Sequence, residues 1–233
     1  MAAMDTTRAL GVLMLDTRFP RVPGDIGHAA SLSFATRYRV VRGASPQRVV
    51  RERDPALLQP FIASGRALVD DGVAAITTSC GFLVLFQQAL QAALPEVPVW
   101  TSSLLLLPEL QRRAPAGVVT VDAASLSADH LRAAGAAADT PIEGLAPGCA
   151  FQRSLLQDET TLDVEAAREA TVSAALRLVE CRPEIESIVL ECTNMPPYAD
   201  AVRAATGRPV HDLISLLTAR FPTASVGERS NPG

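Results

Sequence analysis

The chain repeats one local pattern in its two halves, an apolar run that ends in a turn bearing a cysteine. In the first half the pattern occupies residues 73–81 and places Cys80 in the sequence Thr-Thr-Ser-Cys-Gly. In the second half it occupies residues 188–194 and places Cys192 in the sequence Glu-Cys-Thr-Asn. A short apolar run bounded by turn residues is typical of a buried strand, and the residues after each turn favour a helix. The repeat therefore predicts two similar halves, each with one thiol at a strand-to-helix turn.

Two further pairs of segments support the repeat. Downstream of the cysteines, residues 97–99 match residues 208–210, and their offset is within one residue of the offset between the cysteines. Upstream, residues 11–16 resemble residues 117–122, and both apolar runs end in aspartate. Two similar halves can face their thiols across a shared cleft. That arrangement suits the transfer of a proton from one face of a carbon to the other.

Strands and helices are predicted to alternate along the chain. A continuous apolar run such as residues 9–15 is typical of a parallel strand covered on both faces, and alternation indicates right-handed crossovers. We therefore predict an α/β fold with two pseudo-symmetric lobes, each a parallel sheet flanked by helices, and an active site in the cleft between the lobes. The predicted first lobe comprises residues 1–100 and 212–233, and the second comprises residues 101–211.

Two segments have the apolar spacing of long helices. The first covers about residues 55–71, with Asp54 as the residue that caps its N-terminus and Gly72 at its end. The second covers about residues 164–181, with Asp163 as the cap. Helices of this length can cover one face of each predicted sheet.

Composition excludes several kinds of chemistry. The sequence contains no lysine, so all 21 of its Lys and Arg residues are arginine. This excludes a Schiff base with pyridoxal phosphate, lysine enamine chemistry and a Walker-type P-loop. The formal net charge of −4 gives no electrostatic case for binding nucleic acid or an anionic membrane.

Cysteine and histidine usage indicates the compartment. Four cysteines without a CxxC pair do not form a disulfide framework, and three widely separated histidines do not indicate a zinc site. The apolar stretch at residues 9–15 is short and ends at Asp16, so it predicts a first strand rather than a signal peptide. We therefore expect a protein of the reducing cytoplasm.

Cys80 and Cys192 are the candidate catalytic residues. Each is predicted to enter a helix N-terminus, where unpaired backbone N–H groups and the helix dipole lower the pKa of a thiol. The alternative for each is a buried cysteine that only packs in the core. Cys149 and Cys181 lack this context and are predicted to be structural. The small polar neighbours of the two candidates are predicted to bind a substrate carboxylate: Thr78, Ser79, Gly81, Thr193 and Asn194.

Two aspartates complete the predicted site. Asp16 and Asp122 follow strands, and ligands of open α/β sheets bind at the carboxyl ends of strands. We predict that both contribute to substrate binding, and the alternative is that they cap helices. Arg18 and Arg21 follow on a long loop, where they either clamp a substrate carboxylate or form a solvated surface.

These residues resemble the cofactor-independent aspartate/glutamate racemase superfamily, which also contains hydantoin racemases, maleate isomerases and arylmalonate decarboxylases. The resemblance rests on the two cysteine turns and the aspartate after the first strand, and it covers about residues 9–220. It implies two α/β lobes with the active site between them, and neither a metal nor an organic cofactor. In racemase members one cysteine thiolate removes the Cα proton and the other cysteine protonates the opposite face. Cys80 and Cys192 match these two positions.

The chain also departs from the patterns of this superfamily. Amino-acid racemases carry Asn-Thr after the first cysteine, where this chain has Gly81 and Phe82. Glutamate racemases place histidine after the second Cys-Thr, where this chain has Asn194. Arylmalonate decarboxylases keep only the second cysteine, so Cys80 argues against a pure decarboxylase. The apolar bulk of Phe82 favours a less polar substrate than glutamate.

Three hypotheses for the function follow. The main one is an isomerase, a racemase or epimerase that transfers a proton between two cysteines and a carbon α to a carboxylate. The second is an isomerase or decarboxylase of a small dicarboxylate that uses one catalytic cysteine. The third is a non-catalytic protein that binds a small acid in the cleft. We expect a small carboxylate-bearing substrate, no nucleic acid or membrane partner, and the homodimer that is plausible for the superfamily.

Overall fold

The computed structural model describes residues 9–221 and forms two four-stranded parallel sheets within that range. The strands of the first sheet are β1 (Leu10–Leu15), β2 (Thr36–Val41), β3 (Ala75–Thr78) and β4 (Val99–Trp100). Those of the second are β5 (Ala116–Thr120), β6 (Ile142–Gly144), β7 (Ser187–Leu190) and β8 (Val210–His211). The strand orders are β2-β1-β3-β4 and β6-β5-β7-β8, so the second sheet repeats the first. The predicted α/β fold of two similar sheets is confirmed.

Eight α-helices connect and flank the strands within residues 9–221. They are α1 (Leu58–Asp70), α2 (Gln87–Ala93), α3 (Leu107–Gln111), α4 (Ala128–Ala133), α5 (Ala150–Leu156), α6 (Val164–Cys181), α7 (Ala199–Thr206) and α8 (Leu213–Arg220). Short 3-10 helices occur at Pro55–Leu57, Gly81–Phe86, Ser103–Leu106 and Pro196–Tyr198, and one turn of π-helix at Gln47–Arg51. In the part of the chain that the structure describes, no helix is both long enough and apolar enough to cross a membrane.

The first strand of each sheet lies in the interior because both of its faces are covered. All six residues of β1 and all five residues of β5 are buried. On the outer side of the first sheet, α8 buries Leu213, Leu216 and Leu217 in the same apolar cluster as Leu10 and Val12 of β1. The chain therefore returns to the first sheet after it has built the second. Residues 1–8 and 222–233 of the predicted first lobe lie outside the described residues.

The two long helices begin where their capping residues predict. The side chain of Asp54 accepts a hydrogen bond from the N–H of Ala56 (2.9 Å) in the 3-10 turn that leads into α1. The side chain of Asp163 accepts one from the N–H of Ala166 (3.0 Å) at the start of α6. Gly72 ends α1 in the left-handed region, with φ of 82°, which a residue without Cβ adopts freely.

The segments after the cysteine turns differ from the prediction. Each was expected to begin an α-helix, but a 3-10 helix follows in both halves, at Gly81–Phe86 and at Pro196–Tyr198. In the second half Pro196 and Pro197 occupy the first positions of the 3-10 helix, where the missing N–H of proline costs no helical hydrogen bond. The regular helix α7 begins only at Ala199, after this pair.

Hydrogen bonds between the sheets join the two cysteine turns. The hydroxyl of Thr193 donates to the carbonyl of Ser79 (2.7 Å), and both residues are buried. The hydroxyl of Ser103 donates to the carbonyl of Leu190 at the end of β7 (2.8 Å). The N–H of Ile26 donates to the carbonyl of Thr193 (3.4 Å). The carboxyl edges of the two sheets are thus held against each other by direct bonds.

Candidate active site

A pocket with an empty volume of about 370 Å³, including its open mouth, lies where the two cysteine turns meet. Both Cys80 and Cys192 line it, so the structure brings the two repeated thiols to one cavity. Four of the predicted binding residues also line it: Ser79, Gly81, Thr193 and Asn194. The remaining wall is mostly apolar and is formed by Leu15, Phe19, Pro46, Val50, Phe82, Val121, Leu155 and Leu156. The pocket therefore combines a small polar floor with an apolar surround.

Cys80 lies in extended conformation directly before the 3-10 helix Gly81–Phe86. Backbone N–H groups of Phe82 and Leu83 and the charge of Arg21 favour its thiolate form. Burial is nevertheless the larger effect and, together with the negative charge of Glu191, raises the pKa of the Cys80 thiol to about 12. The expectation that the helix start lowers the thiol pKa is therefore wrong here, because desolvation outweighs the N–H groups.

Cys192 is more deeply buried and stands in the turn after β7. Its Sγ donates a long hydrogen bond to Oδ1 of Asn194 (3.5 Å), and a backbone N–H of Asn194 favours the thiolate. Burial raises the pKa of Cys192 well above its ordinary value, and the charges of Glu191, Cys80 and Asp25 raise it further. Both thiols are thus protonated in the resting pocket at neutral pH.

Glu191 is a site residue that the sequence analysis missed. It is fully buried, lines the pocket and accepts a hydrogen bond from the Thr120 hydroxyl on Oε2 (2.7 Å). Its other oxygen, Oε1, has no hydrogen-bond partner among residues 9–221. Burial raises the pKa of this carboxyl to about 7, although the bond from Thr120 opposes the shift. Glu191 directly precedes Cys192, and a carboxylate next to a candidate cysteine is the signal that could have identified it.

Asp25 is a second site residue that the sequence analysis missed. It lies on the long loop between β1 and β2, where it is buried and pairs with the guanidinium of Arg21 (3.0 Å). It also accepts hydrogen bonds from the N–H of Gly27 (2.7 Å) and from the side-chain amide of Asn194. Asp25 therefore orients Asn194 beside Cys192. The loop has no apolar periodicity, so its length was the only signal of a functional role.

Three predicted binding residues do not reach the pocket. Asp16 is exposed and accepts a hydrogen bond from the N–H of Gly43 (3.0 Å). Thr78 is buried, and its hydroxyl donates to the carbonyls of Thr101 (2.7 Å) and Cys80 (3.0 Å). The structure places both in roles that support the backbone.

Asp122 is the third of these residues. It is buried, bonds the Ser125 hydroxyl and forms an ion pair with Arg51 (2.7 Å), which links the two halves of the chain outside the pocket. Among the remaining candidates, Arg18 is exposed and pairs with Asp158 (3.1 Å). Cys149 precedes α5, where its sulfur accepts the N–H of Gln152 (3.4 Å), and Cys181 is exposed at the end of α6.

Solved structures share this fold. Unliganded arylmalonate decarboxylase aligns with a TM-score of 0.62 at 17% identity and covers 97% of both chains. Glutamate racemase from Francisella tularensis in complex with D-glutamate aligns with a TM-score of 0.52 at 13% identity, over 90% of this chain and 77% of that one. An aspartate racemase homologue from Pyrococcus horikoshii also gives 0.52, at 12% identity, over 90% and 95%. The fold is that of the aspartate/glutamate racemase superfamily, as the two cysteine turns predicted.

Similarity to curated proteins identifies a more specific family within this fold. Dimethylsulfoniopropionate lyase from Durusdinium sp. clade D is 31% identical over 217 residues, which cover 88% of this chain and 71% of the relative. The chain belongs to this family of lyases. Dimethylsulfoniopropionate lyases 7 and 3 from Emiliania huxleyi are each 32% identical over 89% of this chain, which spans 64% and 57% of their lengths. No protein-family model matches the chain.

Membership of this family favours one of the three hypotheses for the function over the main one. The chain is a member of an enzyme family, and its curated relatives are lyases rather than racemases. The hypothesis of an isomerase or decarboxylase that uses one catalytic cysteine agrees better with these lyase relatives than the racemase hypothesis does.

Proposed function

We propose that this chain is a carbon–sulfur lyase that eliminates the sulfonium group from a small β-sulfonio carboxylate, with dimethylsulfoniopropionate as the substrate. The observation that carries the proposal is a pocket lined by two thiols in a chain of this lyase family. A proton on the carbon next to the carboxylate is the one to be removed, and the sulfonium group on the following carbon is the leaving group. This is the same α-proton chemistry that the cysteine turns predict.

The reaction needs one base. A thiolate takes the α proton, so that an S–H bond forms as the C–H bond breaks. The electron pair of the C–H bond forms the carbon–carbon double bond, and the C–S bond breaks with its electrons on sulfur. The products are dimethyl sulfide, acrylate and a proton that leaves to solvent. Charge is lost when thiolate and sulfonium give two neutral sulfur groups, so a pocket of low dielectric favours this step.

The pocket walls suit such a substrate. We assign the substrate carboxylate to the backbone N–H groups of Gly81 and Thr193 beside the two cysteines, where they also stabilise the charge that develops on deprotonation. Phe82 lines the pocket and offers aromatic surface to the dimethylsulfonium group, as does the part of Phe19 that the Arg21 guanidinium does not cover. Asp25 accepts a hydrogen bond from the side-chain amide of Asn194 and so holds this polar side chain in the pocket wall beside Cys192.

The test is the release of dimethyl sulfide and acrylate by the purified chain. Cys80→Ser and Cys192→Ser are compared with Cys181→Ser, a control at an exposed cysteine. Loss of a general base lowers the rate by about 10²–10⁴-fold, so we expect one pocket variant to lose that much and the other to be only impaired. Full activity in both pocket variants, or no release by the unmodified chain, would refute the proposal.

A second candidate function is racemisation at a carbon α to a carboxylate, favoured by the presence of both thiols in one pocket. A racemase needs an acid and a base on opposite faces, so both cysteine variants would be inactive. Incubation with chiral amino acids and small acids in heavy water would then place deuterium at Cα without release of a product. Carbon dioxide released from substituted malonates would instead identify a decarboxylase.

A further inference from the structure

We propose that Glu191, Cys80 and Cys192 share a single negative charge, and that the reactive state of the pocket is the one in which the proton resides on Glu191 and the charge on a thiol. Glu191 is then a positioning residue for the proton rather than the base itself. The lyase chemistry proposed above uses this state, but the charge sharing is a property of the free protein. It is therefore testable without any substrate.

The carboxyl group of Glu191 lies between the two cysteine turns. Glu191 is fully buried at the end of β7 and is followed by Cys192. On its other side it lies against Gly81, the neighbour of Cys80, so closely that a Cβ on Gly81 would overlap with Oε1 and the carbonyl oxygen of Glu191. The carboxyl group is thus in contact with the first turn and covalently part of the second.

The two carboxyl oxygens of Glu191 differ in their hydrogen bonds. Oε2 accepts the hydrogen bond from Thr120 (2.7 Å), which suits the carbonyl oxygen of a neutral carboxyl group. Oε1 is buried and has no partner among the residues that the structure describes, and Glu191 is one of the residues that line the pocket. A proton transferred to Glu191 therefore belongs on Oε1. There it can donate to the anion that develops when the substrate loses its α proton.

The charge of Glu191 and the charge of a thiolate oppose each other in this pocket. The Glu191 charge raises the pKa of both thiols, and burial raises the pKa of Glu191 itself to about 7. A carboxylate and a thiolate together would place two like charges in one desolvated pocket, which is unfavourable. Transfer of a proton breaks the S–H bond, forms an O–H bond on Glu191 and keeps the net charge constant. Such coupled groups titrate as a unit.

The other charged groups around the thiols do not replace Glu191. Asp25 is ion-paired with Arg21, and these two groups act on Cys192 and Cys80 respectively. Tyr198 packs close to Cys192, but burial raises its pKa to about 12, so it stays neutral. Glu191, whose pKa burial raises to about 7, is therefore the group beside the thiols to which we assign this role.

Charge sharing gives the thiols a characteristic pH dependence. Below the pKa of Glu191 the thiolate population rises about tenfold per pH unit, as for any thiol. Above it, the thiolate with a protonated Glu191 has the same number of protons as the resting thiol with an ionised Glu191. Their ratio is then independent of pH. The thiolate level becomes flat above about pH 7, although the thiols themselves are very weak acids.

The experiment measures alkylation of the free, full chain by iodoacetamide from pH 6 to 9, with mass spectrometry to locate the adducts. In the unmodified chain we expect labelling of the pocket thiols to rise to about pH 7 and then to level off. Glu191→Gln keeps an acceptor for Thr120 and is neutral at every pH, so its labelling should continue to rise. The variant should exceed the unmodified chain by about tenfold at pH 8 and match it at pH 6.

A second variant and an internal control keep the test independent of folding defects. Thr120→Val removes the hydrogen bond that favours the Glu191 carboxylate, so the pH at which labelling levels off should increase. The exposed Cys181 reports on the reagent in every sample and should be unaffected by either variant. Labelling of the unmodified pocket thiols that rises steadily to pH 9, or a plateau that persists in Glu191→Gln, would overturn the proposal. Absence of dimethyl sulfide release beside the expected labelling would refute only the lyase function.

Discussion

The hydrogen bond between Thr193 and Ser79 gives a direct test of how the two cysteine turns are held together. The Thr193 hydroxyl donates to the Ser79 carbonyl at 2.7 Å, and both residues are buried. Thr193→Val keeps the shape of the side chain but removes the donor. The buried carbonyl of Ser79 then loses this partner, at the point where the two halves of the pocket meet.

The expected cost follows from that geometry. A buried polar group that loses its partner costs about 1–3 kcal/mol. In a domain of this size each kcal/mol lowers the midpoint of thermal unfolding by about 2–4 °C, so a cost of about 2 kcal/mol lowers it by about 4–8 °C. Because the two turns carry Cys80 and Cys192, the proposed lyase activity should fall more than stability alone explains.

Thermal and urea unfolding of Thr193→Val should be measured beside Thr171→Val as a matched control. Thr171 is also buried, and its hydroxyl donates to the carbonyl of Ala167 (2.8 Å). That carbonyl has a second donor in the N–H of the next helical turn of α6, so the control should be close to neutral. A Thr193 variant as stable as the unmodified chain, or an equal loss in the control, would show that the bond between the turns does not hold the site together.

Three further predictions concern the same region. Burial raises the pKa of Glu191 from 4.5 to about 7, so its contribution to stability is present below pH 4.5 and is lost as pH rises through 7. Glu191→Gln should therefore be more stable than the unmodified chain by about 3 kcal/mol at pH 8 in urea titrations. Equal stability of the two proteins would contradict this. Burial lowers the pKa of His130 to about 4 from 6.5, so its contribution is present above pH 6.5 and is lost as pH falls through 4. His130→Gln should flatten that part of the stability profile measured by circular dichroism. Gly81→Ala should lose about 1–3 kcal/mol and most activity, because its Cβ would meet Glu191; an unchanged unfolding midpoint would argue against that contact.

The fold was predictable because each element carries its own signal. The buried run of β1 and the capping residue Asp163 of α6 are local features, and the repeated cysteine turns fixed how many sheets to expect. The two thiols reached one pocket because equivalent ends of two parallel sheets meet there. None of these inferences required knowledge of distant contacts.

The rest of the site depends on contacts between distant residues. Asp16 follows a strand as predicted, but the Gly43 amide takes its carboxylate, and that pairing has no sequence signal. Asp25 enters the site through an irregular loop that bonds Asn194 far along the chain. The predicted direction of the thiol pKa shifts was wrong for a related reason. The start of a helix is visible in the sequence, whereas the depth of burial of a side chain is not.

The return of α8 to the first sheet has a consequence for movement within the molecule. Leu213 and Leu217 pack with Leu10 on the first sheet, so the second sheet and its helices are attached to the first at both of their ends. Two covalent connections restrict the motion of one sheet relative to the other largely to rotation about the line that joins the connections. Substrate entry would then widen the pocket mouth, while the hydrogen bond between Thr193 and Ser79 keeps the two cysteine turns together.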